Sequence, residues 1–303
     1  MRVFVTGGTG FVGRAMVDRL LERGHEVTLL ARHPGKAVRN DPRVHVAQGD
    51  VSDPESLLMA LNRRPHDAVI HLVGIIRENR RKGITFDRIH VQGTRNMVEA
   101  ARKAGIHRFL HMSANGAKPE GTAYQTTKWQ AERLVKESGL NWTIFRPSLI
   151  TGPGPGFDLQ MAQMVRRSPV VPVFGKGDFK VAPIALTDVT TAFANALDHP
   201  GTVGETFCLC GPEEFTFKEY LQRLEGVLGK HRPLMPVPQG LMLTAAGALG
   251  RFSAFPATRD QLTMLFEGNT CSTSGDTACH DYQEALGMPR VHTWEEEVRR
   301  FLR

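Results

Sequence analysis

The chain has 303 residues, 41% of them apolar and 23% charged, with a formal net charge of +7. A chain of this length spans roughly two domains and can bury a sizeable core without metal or disulfide staples, and the composition excludes wholesale disorder, collagen and coiled coil. The positive charge is dispersed, with local clusters at Arg77, Arg80, Arg81 and Lys82 and at Arg166 and Arg167, and no nucleic-acid-binding signature accompanies it, so no nucleic-acid partner is expected.

The predicted elements alternate through the first half. Val3 to Thr6 reads as a short apolar strand, and Phe11 to Arg23 as a helix with Phe11, Val12, Ala15, Met16 and Leu20 on its inner stripe. Strands follow at Glu26 to Ala31 and Val44 to Ala47, then a helix at Pro54 to Asn62 and a strand at Ala68 to Val73. Phe86 to Ala104 is a helix, Arg108 to Met112 a strand, Thr126 to Ser138 a helix and Thr143 to Arg146 a strand. These strands are continuous apolar runs, which places them in a sheet covered on both faces. The expected fold class is α/β: a doubly wound parallel (Rossmann) sheet over residues 1–155 that takes ligands at the carboxyl ends of its strands.

Beyond the Gly/Pro loop at 151–156 the texture changes. A helix near 159–166, a strand at 170–174, a helix near 188–197 and a strand at 206–209 precede helices at 217–228, 241–252, 260–266 and 294–302. Residues 156–303 are read as a smaller, mostly helical substrate domain, partly interleaved with the first.

The strongest chemical signal is Thr6-Gly7-Gly8-Thr9-Gly10-Phe11-Val12-Gly13, which joins the first strand to the first helix. Gly7 permits the tight turn, Gly10 lets the backbone approach a pyrophosphate, and Gly13 lets helix pack on strand. The helix N-terminus then offers free N–H groups and its dipole to the phosphates. A dinucleotide is expected on Gly7, Thr9, Gly10, Phe11, Val12 and Gly13. Where an NAD site carries Asp or Glu for the ribose hydroxyls, this chain has Ala31, Arg32 and His33, with Lys36 nearby. A carboxylate would repel a 2′-phosphate and a guanidinium grips one, so Arg32 favours NADP(H) over NAD(H).

The second constellation is Tyr124-Gln-Thr-Thr-Lys128, with Ser113 at the end of the preceding strand. Tyr124 and Lys128 are four apart and share a helix face. A lysine beside a tyrosine favours the phenolate and is expected to bring its pKa toward neutrality. Tyr124 then gives a proton to a carbonyl as hydride arrives, or takes one back, while Ser113 holds the same oxygen. The alternative is that Tyr124 and Lys128 only grip the nicotinamide ribose.

Together with Gly49-Asp50-Val51, His71-Leu72-Val73-Gly74, Val91-x-Gly93-Thr94 and Arg146-Pro147-Ser148, these motifs resemble an extended or atypical short-chain dehydrogenase/reductase of the NAD-dependent epimerase/dehydratase superfamily. The subgroup resembled is the bacterial relatives of the short-chain-dehydrogenase-like accessory subunit of respiratory complex I. The resemblance covers residues 1 to about 155 and thins beyond. It implies that Asp50 and Val51 contact adenine, that Leu72, Val73 and Gly74 line the cofactor's ribose, and that Pro147 and Ser148 face the nicotinamide end. Many extended members carry Asn where this chain has His90, which is read as a packing or surface residue rather than a proton relay.

Weaker features carry bland readings. Cys208 and Cys210, two apart on a strand, are expected as buried or half-buried thiols, and Cys271, Cys279 and His280 fall in a polar loop, where a metal site or a disulfide is the minor reading because a fourth ligand is lacking. No metal is expected. Four cysteines and an N-terminus that enters a strand at once suggest a cytoplasmic protein without a leader. The apolar stretch Leu241 to Leu249 is too short to span a membrane; it is read as a packing helix, or as a wall for a lipid- or quinone-like substrate or a dock on an anionic bilayer.

Three functions compete. The first is an NADP(H)-dependent oxidoreductase acting on the carbonyl of an apolar or quinone- or lipid-like small-molecule substrate, or on its alcohol, monomeric or weakly dimeric. The second is a non-catalytic NADP(H)-binding accessory or sensor protein of a membrane respiratory complex. The third, a nucleotide-sugar epimerase or dehydratase, fits less well because such enzymes hold NAD, against which Arg32 argues.

Overall fold

In the computed structural model, residues 1–37, 39–249, 257–271, 282–288 and 290–302 are described. Strand β1 (Arg2–Thr6) buries Val3, Phe4 and Val5 completely. Helix α1 (Phe11–Glu22) buries Val12, Met16 and Leu20 of the expected stripe together with Gly13 and Val17, while Phe11 and Ala15 are half-buried. β2 (Glu26–Ala31) and β3 (Val44–Gln48) follow. Helix α2 (Pro54–Asn62) is started by Asp53, whose side chain accepts from the Glu55 and Ser56 N–H groups, with Pro54 in the first turn. After β4 (Ala68–His71), a π-helical turn at Asp87–Gln92 leads into α3 (Gly93–Lys103). Then come β5 (Arg108–Met112), α4 (Ala123–Lys136) and β6 (Asn141–Pro147). Helix α4 opens on a capping box between Thr122 and Gln125, which fixes where its first turn, bearing Tyr124, begins.

The rest of the chain adds β7 (Ile150–Thr151), α5 (Phe157–Arg167), β8 (Val171–Phe174), β9 (Lys180–Val181), β10 (Ile184–Ala185) and α6 (Leu186–Asp198). It continues through β11 (Glu205–Leu209), β12 (Phe215–Thr216), α7 (Phe217–Leu228), β13 (Leu234–Val237), α8 (Gln239–Leu249), α9 (Arg259–Phe266), α10 (Tyr282–Ala285) and α11 (Trp294–Phe301). The short strands β7, β9, β10, β12 and β13 escape sequence reading because two to four residues carry no periodicity.

The main sheet has seven strands in the order β11-β6-β5-β4-β1-β2-β3, and the run from β3 through β6 pairs in parallel. Strand order reverses between β1 and β4, so the carboxyl ends of these two strands flank the switch point where a doubly wound sheet receives its ligand. This is the expected Rossmann architecture, with a helical C-terminal part.

The chain divides into two units that are not consecutive in sequence. The first comprises Met1–Arg146, Thr190–Cys208 and the described part of Thr277–Pro289. Its core includes Phe4, Leu57, Val69, Met97, Phe109 and Ile144. The second comprises Pro147–Val189, the described part of Leu209–Asp276, and Arg290 onward. It is built on an aromatic core with Phe217, Tyr220 and Trp294. At its centre the buried Asp158 carboxylate accepts the Tyr220 hydroxyl at 2.8 Å and the Trp294 indole N–H at 2.9 Å.

Two expectations need correction. Cys210 is not a thiol: it forms a disulfide with Cys271, and Cys208 is disulfide-bonded as well. Residues 61 apart in sequence meet only through the tertiary fold, which strand spacing cannot show. The premise for a reducing compartment goes with the thiols. Cys279, His280 and Arg251 lie outside the described residues. Helix α8 is not buried all round: Leu241 is 63% exposed and Ala246 2%. Among the described residues no helix is long and apolar enough to cross a membrane.

Candidate active site

The glycine run forms the turn that its sequence demands. Gly7 adopts φ +76°, a left-handed conformation that favours glycine, and the Gly10 N–H donates to the Gly7 carbonyl at 2.9 Å. A Cβ at Gly13 would stand 2.1 Å from the Gly7 oxygen, so helix and turn approach closely only because neither carries a side chain. Gly10 is the N-cap of α1 and supplies no side-chain cap, and the first turn has no acidic residue. The Phe11 and Val12 amides therefore begin a helix with free N–H groups and no competing carboxylate, which fits a pyrophosphate. Thr9 lies in the turn, where its carbonyl accepts from the Arg14 side chain at 3.1 Å.

The end of β4 packs onto this turn. A Cβ at Gly7 would lie 3.0 Å from the Leu72 carbonyl carbon and 3.1 Å from the Val73 nitrogen. A Cβ at Gly74 would lie 3.1 Å from the Lys128 ammonium and 3.8 Å from His90 Nε2. Gly7, Leu72, Val73, Gly74 and Lys128 thus form one continuous surface, from the phosphate turn to α4. Beneath it, Thr6 Oγ1 and Thr94 Oγ1 hold the two ring nitrogens of buried His71 at 2.7 and 3.2 Å. The His71 ring stacks on that of His111, centroids 5.5 Å apart, and the His111 nitrogens have no hydrogen-bond partner among the described residues.

Arg32 follows β2 with its side chain exposed at the strand's carboxyl end. Asp50 follows β3, and its carboxylate accepts from the Ser52 N–H and hydroxyl, both at 2.8 Å. Val51 is buried, and its carbonyl accepts from the Asn96 amide at 2.9 Å. Pro147 and Ser148 belong to the second unit. There Ser148 donates its N–H to the Leu209 carbonyl at 2.8 Å and its hydroxyl to the Ala182 carbonyl at 2.6 Å.

Tyr124 and Lys128 both lie on α4. Lys128 is buried and donates to the Met112 carbonyl at 3.0 Å. Burial lowers its pKa to about 8, against the opposing pull of Glu132. Tyr124 is half-buried, and desolvation pushes its pKa up to about 12. The expected shift toward neutrality is therefore reversed. Lys128 directs one of its three N–H donors to β5, and burial of the phenol governs the Tyr124 pKa. At neutral pH Tyr124 carries its proton.

Ser113 also departs from expectation. Its hydroxyl donates to the Glu132 carboxylate, which Arg146 grips through two bonds of 2.8 and 2.7 Å. The three residues are at most 3% exposed. A serine has one hydroxyl hydrogen, and Ser113 uses it to join β5 to α4, not to hold a substrate oxygen. Glu132 went unread in the sequence, although a carboxylate between Ala131 and Val135, four residues past Lys128, interrupts the apolar stripe and signals a buried partner. His90 is buried, at 1% exposure, which settles its reading as packing and not surface.

The pattern of the NAD dependent epimerase/dehydratase family matches residues 3–210. A ceramide reductase of Caulobacter vibrioides is 29% identical over 84% of this chain and 80% of its own length. Sterol demethylase protein B of Methylococcus capsulatus is 32% identical over 80% and 79%. The 40 kDa subunit of Neurospora crassa mitochondrial NADH-ubiquinone oxidoreductase is 26% identical over 90% and 72%. Among solved structures, Bacillus anthracis dTDP-glucose 4,6-dehydratase in complex with NAD superposes with a TM-score of 0.74 at 16% identity, covering 100% of this chain and 95% of its own, a likeness of fold.

Proposed function

The chain belongs to the NAD dependent epimerase/dehydratase family, and from that premise we propose that it is an NADP(H)-dependent reductase of an apolar carbonyl compound, with Tyr124 as the acid. The observation that carries this reading is that Tyr124 shares a face of α4 with Lys128, whose ammonium would lie 3.1 Å from a Cβ at Gly74, the residue after the Leu72–Val73 backbone that packs on the glycine turn. A carbonyl gaining hydride needs a proton at oxygen, and a phenol held above neutral pH has one to give.

Bound NADPH supplies the hydride. The Phe11 and Val12 amides hold its pyrophosphate, Arg32 its 2′-phosphate, and Lys128 its nicotinamide ribose. Leu72, Val73 and Gly74 wall the ribose, and Asp50 and Val51 border the adenine. Tyr124 passes its proton to the carbonyl oxygen, completing the alcohol, and takes another from solvent on its exposed side. The apolar substrate class draws support from relatives named for a ceramide, a sterol and a 3-beta-hydroxysteroid.

The test is NADPH consumption with long-chain ketones, sterol ketones and quinones. Tyr124→Phe should lower turnover by about a hundredfold or more while NADPH affinity stays within a few-fold. Full activity in that variant would sink the assignment. A second reading, an NADP(H)-binding accessory protein of a membrane respiratory complex, is favoured by Ser113, whose hydroxyl is spent on Glu132. It predicts tight NADPH binding without consumption under any of these carbonyls.

A further inference from the structure

Phe86 and His90 stand four residues apart on the turn that leads into α3, and their rings stack with centroids 5.3 Å apart at 24°. Both rings meet Tyr124 edge to face: Phe86 at 5.7 Å and 82°, His90 at 5.4 Å and 88°. The phenol ring therefore sits against a wall of two parallel aromatic planes, which limits its swing.

The His90 ring is hooked at both ends. Nδ1 lies 3.0 Å from Thr127 Oγ1, on the helix that carries Tyr124 and Lys128. Nε2 lies 3.1 Å from both the N–H and the carbonyl oxygen of Ile75, in the segment after β4. Thr127 directs its one hydroxyl hydrogen to the Ala123 carbonyl at 2.8 Å, which leaves its oxygen to accept. The neutral tautomer with Nδ1–H therefore bonds at both ends: Nδ1–H meets the Thr127 oxygen while Nε2 accepts from the Ile75 N–H. The ring is fully satisfied without a charge, and burial lowers its pKa to about 2, so beside Lys128 it adds no second cation.

We propose that His90 is a positioning residue for the reduction: its two hydrogen bonds tie α4 to the backbone after β4, and its ring fixes the plane of Tyr124. The proposal rests on the acid role given to Tyr124. His90 exchanges no proton with the substrate. It sets the angle at which the phenol meets the carbonyl oxygen, while a phenylalanine would keep the ring wall and lose both hooks.

The experiment uses the full chain with NADPH and the ketone that the parent reduces best. His90→Phe should lower kcat by about tenfold while the KM for the ketone and the Kd for NADPH stay within about threefold. His90→Gln, which restores a donor and an acceptor, should recover part of that loss. Thr127→Val removes only the helix-side hook and should lower kcat in the same direction, which keeps the proposal testable if His90→Phe fails to fold. A kcat within twofold of the parent in both folded variants would overturn it.

A second readout needs no substrate. The chain has three tyrosines, so the phenolate absorbance of Tyr124 is isolated by subtracting the Tyr124→Phe titration. His90→Ala opens the wall to water and should bring that titration down by about one pH unit. An unshifted titration would overturn the positioning role. An active Tyr124→Phe would overturn the acid assignment instead, so the two failures are separate.

Discussion

At the scale of single residues, Arg32 is the side chain on which the proposed preference for NADP(H) rests. It stands exposed after β2, where an acidic residue would favour the ribose hydroxyls of NAD. NADPH should bind at least about tenfold tighter than NADH, and Arg32→Ala should lose about 1.4 kcal/mol of that preference. Calorimetric titration of both cofactors checks it, and equal affinities in the parent would refute the assignment. Glu132 and Arg146 make a different kind of residue-scale claim. Removing one member of a buried ion pair strands the other, so Glu132→Gln should cost about 3–5 kcal/mol of stability. The double variant Glu132→Leu with Arg146→Leu should recover most of it, because no charge is then left unpaired. Urea unfolding of the three proteins measures both. The sequence singles out Arg32, Tyr124 and Lys128 because each has a fixed offset from a motif. It misleads at Ser113 because a strand-end serine looks the same whether its hydroxyl faces a ligand or a buried carboxylate.

At the scale of elements, the turn between β1 and α1 does its work through what its residues lack. A Cβ at Gly13 would overlap the Gly7 carbonyl at 2.1 Å, a backbone contact that no rotamer can relieve. Gly13→Ala should therefore shift α1 away from the turn and weaken NADPH binding by about tenfold or more. Gly226 in α7 is the control: a Cβ there would meet nothing within 4 Å, so Gly226→Ala should leave binding unchanged and stabilise by up to about 1 kcal/mol. Fluorescence titration and thermal melts of the pair separate the two effects. The main elements were legible in the sequence because each presents a long apolar stripe or run. The π-helical turn at Asp87–Gln92 was not, since one extra residue within a helical pattern leaves the periodicity almost unchanged. That turn carries His90 into the wall beside Tyr124.

At the scale of the whole molecule, buried histidines govern the response to acid. Burial lowers the pKa of His71 to about 3 and of His90 to about 2, and moves His111 well below its ordinary value. The folded pKa values lie below the unfolded value of 6.5. The unfolded chain therefore takes up these protons first, and stability falls as pH drops through about 6.5 toward the folded values. Denaturant midpoints measured downward from about pH 7 should decline with uptake of more than one proton on unfolding. A flat profile between about pH 6.5 and 4 would show that these imidazoles titrate normally in the fold.

The alternation of strands and helices, the glycine turn, the cation after β2 and the Tyr124–Lys128 spacing were determined by the sequence itself. Each is local: its signal lies in the order and spacing of neighbouring residues, which the backbone geometry converts directly into a face or a turn. Other properties were decided only by the tertiary structure. Ser113 turns to Glu132 because β5, α4 and β6 converge on one buried carboxylate. Tyr124 is shifted up and not down because desolvation depends on everything packed around it. Cys210 meets Cys271 because the fold closes a separation of 61 residues. These depend on distances between residues remote in the chain, and on the water that packing excludes, neither of which spacing along a sequence records.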